Sequence, residues 1–346
     1  MKNNNLGIHT IITGGTMDFQ FNPNFEIEQG TVDSLVPRKQ SVVPMFLKNK
    51  VKMRGDEILF DRVSLKDSRN MNEEDYQKVL DMAAKSPYEK ILITTGIVEM
   101  DTFKEFLSAN AEVLDGKVVG LVGSRLPLSE YRSDAGFHLG YSIGNIQNSE
   151  PGIFSFHPES TRESLENLLP DMVIHITGGT IDSSYSESAD TARPYEHSRI
   201  AEYFAETLGV KLPEPELTFN EITMKDSREL TETEIRELMD QIKNNSHKNQ
   251  IATAGTYALP DLASSSDKMM QSGEMQNSTV TYVGAMLPDD VIFNDGYFNL
   301  GFALGKTPHV DPGVYVAMHG WMTHPDNVMK QLQKAEFVPY DLDNRV

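Results

Sequence analysis

The chain has 346 residues, with 31 Lys and Arg against 51 Asp and Glu, so its formal charge is −20. This charge argues against a nucleic-acid partner or an anionic membrane surface, because both need clustered positive side chains. The sequence has no cysteine, which excludes disulfides, thiolate catalysis and zinc–cysteine sites. The length allows two domains.

The sequence also indicates where the protein is located. Its apolar runs are far shorter than the roughly 20 residues that a membrane span needs. Residues 1–7 contain neither an apolar region nor a small-residue cleavage site, which are the marks of a secretory signal. We therefore expect a cytoplasmic protein with no membrane partner.

Short apolar runs, rich in Val and Ile and bounded by Gly, predict buried strands along the chain. They cover residues 6–13, 90–95, 117–123, 152–156, 172–177, 249–253, 279–284 and 313–318. Helical spacing of apolar side chains predicts a helix over residues 72–85, and Thr231 with Glu234 forms a capping-box pattern at the start of a helix over residues 231–243. Strands that alternate with helices indicate parallel sheets covered on both faces.

Four motifs occur twice, in the same order. IITGGTMD at residues 11–18 recurs as HITGGTID at 175–182, and KDSR at 66–69 recurs at 225–228. Two further pairs are residues 133–140 with 294–301 and residues 151–154 with 312–315. This order predicts a tandem duplication. We expect two Rossmann-like α/β units, each a mainly parallel sheet flanked by helices, at residues 1–165 and 166–346.

Thr-Gly-Gly-Thr follows the first predicted strand of each unit, at the sheet edge where open α/β folds bind ligands. The glycines permit close approach of a substrate, although the motif taken alone favours a tight turn after the strand. Neither G-x-G-x-x-G nor a phosphate-binding Gly-Lys-Ser/Thr motif is present. We therefore expect no nucleotide cofactor.

Five segments of the second half, taken together, resemble the N-terminal domain of the L-asparaginase/glutaminase family. They are TGGTID at 177–182, KDSREL at 225–230, GT at 255–256, VGAMLP at 283–288 and NDGYFNL at 294–300. The resemblance covers most of residues 171–337, and residues 6–170 look like a more divergent copy. It implies two single-domain asparaginase units joined end to end, without the smaller second domain of the usual members.

The resemblance implies roles for individual residues of the second copy. Thr180 would be the nucleophile that attacks the amide carbon of the substrate. Thr256 would be the second catalytic threonine, with Lys330 as the lysine that activates it. Ser227 would hold the α-carboxylate of the substrate, and Gly179 would also bind the substrate.

One position departs from the family pattern. Tyr257 replaces an aspartate that pairs with the catalytic lysine and binds the α-ammonium group of the substrate. Losing one charged hydrogen bond costs about 1.5–3 kcal/mol, so the resemblance implies a weaker affinity for asparagine. The family also has a loop tyrosine that assists the nucleophile, and the sequence leaves Tyr185 and Tyr195 as equal candidates.

The first copy departs further. Thr16 and Ser68 remain, but Ile97 and Val98 replace the second threonine and the aspartate, and Glu163 aligns with the catalytic lysine. An apolar pair and a reversed charge cannot transfer protons to or from an amide. We predict that this copy is catalytically inactive.

The sequence favours an asparaginase-like amidohydrolase that acts on a small amino-acid amide in the second copy, without a metal or cofactor. His319 and His324 lack a recognisable set of acidic metal ligands. The alternatives are a non-catalytic structural or assembly protein and an amino-acid sensor. A cavity filled by Tyr257 would favour the structural protein. An open cavity with Lys330 near Thr256 would favour the hydrolase. We expect a homo-oligomer or an intramolecular pseudo-dimer.

Overall fold

The structure, a computed structural model, describes residues 7–21, 35–53, 58–188, 191–212, 214–275, 278–331 and 336–339. In the first half, strands and helices alternate along the chain. They are β1 (Ile8–Gly14), β2 (Phe19–Phe21), β3 (Leu35–Pro37), α1 (Val43–Met45), β4 (Ile58–Lys66), α2 (Glu73–Ala84), β5 (Lys90–Thr94), α3 (Met100–Ala109), β6 (Val118–Val122), α4 (Asp134–Ile146), β7 (Gly152–Phe156) and α5 (Pro158–Leu168).

The second half follows a similar order. Its elements are β8 (Met172–Gly178), β9 (Ser183–Ser186), β10 (Thr191–Pro194), α6 (Ile200–Glu202), α7 (Pro215–Thr218), β11 (Phe219–Lys225), α8 (Glu232–Asn244), β12 (Asn249–Thr253), α9 (Leu259–Gln271), β13 (Thr279–Val283), α10 (Gly296–Lys306), β14 (Gly313–Met318), β15 (Trp321–Thr323), β16 (Val328–Gln331) and β17 (Glu336–Pro339). Among the described residues, no helix has the length and apolar character needed to cross a membrane.

The two large sheets have corresponding strand orders. The first runs β4-β1-β5-β6-β7 with every neighbouring pair parallel. The second runs β11-β8-β12-β13-β14-β15, parallel except for the final antiparallel pair. Helices α2 and α3 cover one face of the first sheet, and α8 and α9 cover one face of the second. The predicted fold class, mainly parallel sheets flanked by helices, is confirmed.

All eight predicted strands are present within two residues of their predicted bounds. The capping box is also present, since the Thr231 hydroxyl accepts from the Glu234 amide at 3.3 Å and the Glu234 carboxylate accepts from the Thr231 amide at 2.9 Å. Strands β4 and β11 are not among the predictions. Both lie at sheet edges and are only partly buried, so their mixed apolar and charged residues give no continuous apolar signal.

Helices α4 and α10 cross so closely that their backbones touch. A Cβ atom on Gly140 would lie 2.0 Å from the Phe298 carbonyl oxygen, and one on Gly301 would lie 2.4 Å from the Phe137 carbonyl oxygen. Glycine is therefore required at this crossing. The remaining faces of both helices enter one hydrophobic core, so the two sheets form a single packed body.

Candidate active site

A cavity of about 300 Å³ opens at the carboxyl ends of β8, β11 and β12. Its lining residues are Gly179, Thr180, Thr191, Ala192, Asp226, Ser227, Arg228, Gly255, Thr256, Tyr257, Met286 and Lys330. All six residues to which the sequence analysis assigned a role in this copy are in this set. Five of them follow the parallel strands β8, β11 and β12, which end at the same edge of the sheet. The sixth, Lys330, lies on β16, in a separate two-stranded sheet.

Glycines bring three loops together at the floor of the cavity. Gly178 and Gly179 have φ of +79° and +80°, a region that favours glycine. A Cβ atom on Gly178 would lie 2.6 Å from the Lys225 amide nitrogen, and one on Gly179 would lie 2.4 Å from the Gly255 amide nitrogen. A Cβ atom on Gly255 would in turn lie 2.5 Å from Ser227 Oγ. These glycines therefore have a packing role as well as leaving space for a substrate.

Thr180 opens a short 3₁₀ turn that ends at Asp182. The buried Asp182 carboxylate accepts hydrogen bonds from the Arg199 amide at 2.8 Å and from the Ser198 hydroxyl. Burial raises the pKa of Asp182 to about 6. These bonds attach the Thr180 turn to the segment at Ser198, which limits the positions that the Thr180 side chain can take.

Lys330 and Thr256 form a short polar contact in the cavity wall. Lys330 Nζ donates a hydrogen bond to Thr256 Oγ1 at 2.6 Å. Burial, and then the nearby charge of Arg228, lowers the pKa of the Lys330 ammonium, while Asp226 acts in the opposite direction. A lysine with a lowered pKa is more readily neutral and can then accept a proton.

Tyr257 lines the cavity without filling it. Its side chain is 52% exposed, and the centre of its ring lies 3.9 Å from Lys330 Nζ and 5.2 Å from the Arg228 guanidinium carbon. Both distances allow cation–π attraction. Lys330 is therefore held by the Thr256 hydroxyl and the Tyr257 ring, without the carboxylate that the family pattern implies.

Asp226 and Arg228 are cavity residues to which the sequence analysis gave no role. Arg228 Nε donates to Asp226 Oδ1 at 3.0 Å, and Arg228 Nη2 donates to Asp226 Oδ2 at 2.7 Å. The hydrogen bonds from Arg228 hold the pKa of Asp226 below its usual range. Both residues flank Ser227 in the KDSR motif. That position, next to a predicted substrate-binding residue, was the sequence feature that could have identified them.

Comparison with known proteins identifies this half of the chain. Residues 171–336 match the family model described as Asparaginase, N-terminal. The second half belongs to the asparaginase family. No curated protein matches the chain significantly.

Solved structures of asparaginases are similar at a lower level. They include L-asparaginase I from Vibrio cholerae, with 21% identity, 49% of this chain and 51% of that chain covered, and a TM-score of 0.41. A probable cytoplasmic L-asparaginase from Campylobacter jejuni has 21% identity, coverages of 49% and 53%, and a TM-score of 0.39. The chain thus spans about half the length of these structures.

The structure separates the two candidate tyrosines of the asparaginase loop. The Tyr195 hydroxyl donates to Asp289 at 3.2 Å. Tyr185 lies on the β9–β10 hairpin, directly opposite Ala192, and Ala192 lines the cavity. Because opposite residues of antiparallel strands share a face, Tyr185 lies on the same face of the hairpin as a cavity residue.

The first half repeats the glycine framework of the asparaginase domain. A Cβ atom on Gly15 would lie 2.4 Å from the Gly96 amide nitrogen, and one on Gly96 would lie 2.5 Å from Ser68 Oγ. Arg69 donates to Asp67 at 3.0 and 2.7 Å, as in the second half. The framework is therefore shared.

The polar groups at the first-half framework differ. The residues after Gly96 are Ile97 and Val98, and Val98 is 65% exposed. Glu163 lies on helix α5, whereas Lys330 lies on strand β16. The sequence alignment of these two residues therefore joins different kinds of element, and the two are not structurally equivalent.

Three possible metal ligands lie close together away from the cavity. Ligand atoms of Asp267, His324 and Asp326 are all within 4.8 Å of one another. The His324 ring already has protein partners at both nitrogens, because Nδ1 accepts from the Asp326 amide at 3.3 Å and Nε2 contacts Asp267 Oδ1 at 3.1 Å. His319 likewise contacts the Val51 carbonyl at 2.5 Å and the Phe337 amide at 3.0 Å. Each ring therefore has a structural role.

Proposed function

We propose that the asparaginase domain hydrolyses a small side-chain amide to the acid and ammonia. The hydrogen bond of 2.6 Å between Lys330 and Thr256, in an open cavity that also contains Thr180, is the observation that carries this proposal. A structural protein has no need of a partly buried lysine against a threonine hydroxyl at a sheet edge. The open cavity also supports a hydrolase, since Tyr257 leaves room for a ligand.

In the first step, the Thr180 hydroxyl oxygen attacks the amide carbon. As the new C–O bond forms, Thr256 and Lys330 take up the hydroxyl proton. The C–N bond then breaks, and the nitrogen leaves as ammonia with that proton. An acyl group remains on Thr180.

In the second step, water completes the hydrolysis. Its oxygen adds to the acyl carbon while its proton passes to the Thr256–Lys330 pair. The bond between the acyl carbon and Thr180 breaks, and the proton returns to the Thr180 oxygen. The sum is one amide and one water converted to one acid and one ammonia.

Other cavity residues have binding roles in this proposal. Ser227 and the backbone at Gly179 hold the carboxylate end of the substrate, because both lie on the cavity floor. Tyr185 is our candidate for the loop residue that covers Thr180. This assignment follows from its place on the hairpin that lines the cavity.

We further propose that residues 1–165 are a divergent, inactive copy of residues 166–346, with a structural role. The corresponding strand orders of the two sheets and the shared glycine framework support the duplication. Helix α4 of the first copy packs on α10 of the second in one core, as in an intramolecular pseudo-dimer. The second copy then retains the chemistry.

Ammonia release from a panel of small amides by the purified full chain tests the function. We expect release that depends on enzyme concentration and is abolished by Thr180→Ala. The variant is compared with the wild type by circular dichroism, so that loss of fold is recognised. The hydrolase proposal fails if no amide in the panel gives ammonia at high enzyme concentration.

A further inference from the structure

The charged groups around the cavity do not suit a substrate with an ammonium group. The charged side chains of its lining are Asp226, Arg228 and Lys330. Both Asp226 oxygens accept hydrogen bonds from Arg228, so this carboxylate is already neutralised. The ammonium of Lys330 has a hydroxyl and a ring as its partners. The lining residues that the structure describes therefore carry one surplus positive charge, that of the Lys330 ammonium.

This surplus is local. Residues 166–346 contain 13 basic and 28 acidic side chains, so the half as a whole is strongly negative. The positive lining is thus a property of the cavity and does not follow from the composition. The positive charge of the lining is opposite in sign to the net charge of this half, and it lies at the position where a substrate would bind.

Among the lining residues that the structure describes, an ammonium group would find no free carboxylate. It needs a carboxylate within about 4 Å to offset its desolvation, and Asp226 is committed to Arg228. The Tyr257 ring could attract a cation, but Lys330 already lies 3.9 Å from its centre. An incoming ammonium would therefore meet the surplus charge of the Lys330 ammonium, beside an Arg228 charge that Asp226 already offsets.

We propose that the substrate is a monoamide of a dicarboxylic acid whose α-carbon carries no ammonium group. This inference rests on the hydrolase function proposed above. The free carboxylate of such a molecule matches the surplus positive charge of the lining. Its methylene groups can lie against the Tyr257 ring and the Met286 side chain, which supply the apolar part of the cavity wall.

Succinamate and L-asparagine provide a direct test, since they differ by the ammonium group alone. We expect the wild-type chain to release ammonia from succinamate with a kcat/KM about 10- to 100-fold higher than from L-asparagine, the range of one charged hydrogen bond. Tyr257→Asp should reverse this preference. Equal or faster turnover of L-asparagine by the wild type would overturn the inference and leave the hydrolase function intact.

A binding experiment separates the inference from the proposed function. Isothermal titration of the wild-type chain with succinate and with L-aspartate compares the two products without any chemistry. Tighter binding of succinate, by about tenfold or more, supports the inference even if no amide is hydrolysed. Equal or tighter binding of L-aspartate, or no binding of succinate, overturns it.

Discussion

The loop clusters at the carboxyl ends of the two sheets share a framework and differ in chemistry. In both, glycines hold three loops in backbone contact, and an arginine pairs with the aspartate two residues before it. In one cluster Lys330 and Thr256 form a polar pair, and in the other the residues after Gly96 are Ile97 and Val98. Close packing therefore preserves a glycine motif even where the polar pair is absent from the residues that follow it.

The largest expected difference concerns the two equivalent threonines. Thr180→Ala should lower the rate of ammonia release at least about 10³-fold, because the nucleophile is removed. Thr16→Ala, the matched change in the first half, should leave the rate unchanged. Steady-state ammonia assays of both variants measure this. A large loss in Thr16→Ala would show that the first cluster takes part in the reaction.

Removing the lysine should have the next largest effect. Lys330→Met keeps an unbranched side chain but cannot transfer a proton, so we expect kcat to fall about 10²- to 10⁴-fold. Glu163→Gln, at the position that sequence alignment pairs with Lys330, is the control and should retain the wild-type kcat. A wild-type rate in Lys330→Met would remove this residue from the mechanism.

Because the two halves share the glycine framework, equivalent Gly→Ala substitutions should lower the free energy of unfolding by similar amounts. Gly15→Ala and Gly179→Ala should each lower the free energy of unfolding by about 2–4 kcal/mol, because each Cβ atom would clash with backbone and each φ is positive. Gly116→Ala is the matched control, since its φ is +75° and no atom lies within 4 Å of its Cβ position. Urea unfolding compares the three. A tolerated Gly15→Ala would show that the first framework is not constrained by packing.

The smallest expected effect is a shift of the pH profile. Neutral Lys330 accepts a proton in our mechanism, and burial lowers its pKa, so the rate should rise with pH on a limb below the ordinary lysine value of 10.5. Arg228→Gln removes a repelling charge and frees Asp226, and both changes raise the pKa of Lys330. The limb should therefore move to higher pH.

Arg69→Gln is the matched control for the pH experiment. Arg69 pairs with Asp67 in the same geometry but belongs to the cluster with Ile97 and Val98. We expect its profile to coincide with that of the wild type. The proton-transfer role of Lys330 is contradicted if Arg228→Gln leaves the limb in place or moves it to lower pH.

Local signals explain which parts of the fold could be predicted. The buried strands were found because a parallel sheet covered on both faces demands continuous apolar runs. The edge strand β4 was missed because charged residues such as Asp61 and Arg62 occupy its exposed middle. An edge strand forms because it pairs with another strand, here β1, which lies far away in the sequence. A short stretch of sequence therefore does not reveal it.

The sequence by itself determined the strand–helix alternation, the repeated motifs and six of the residues at the cavity, because strand ends and motif order are local properties of the chain. Only the tertiary structure showed that Arg228 neutralises Asp226, that the Tyr257 ring faces two cations, and that Glu163 and Lys330 lie on different kinds of element. These facts depend on distances between loops far apart in sequence, and close packing sets those distances.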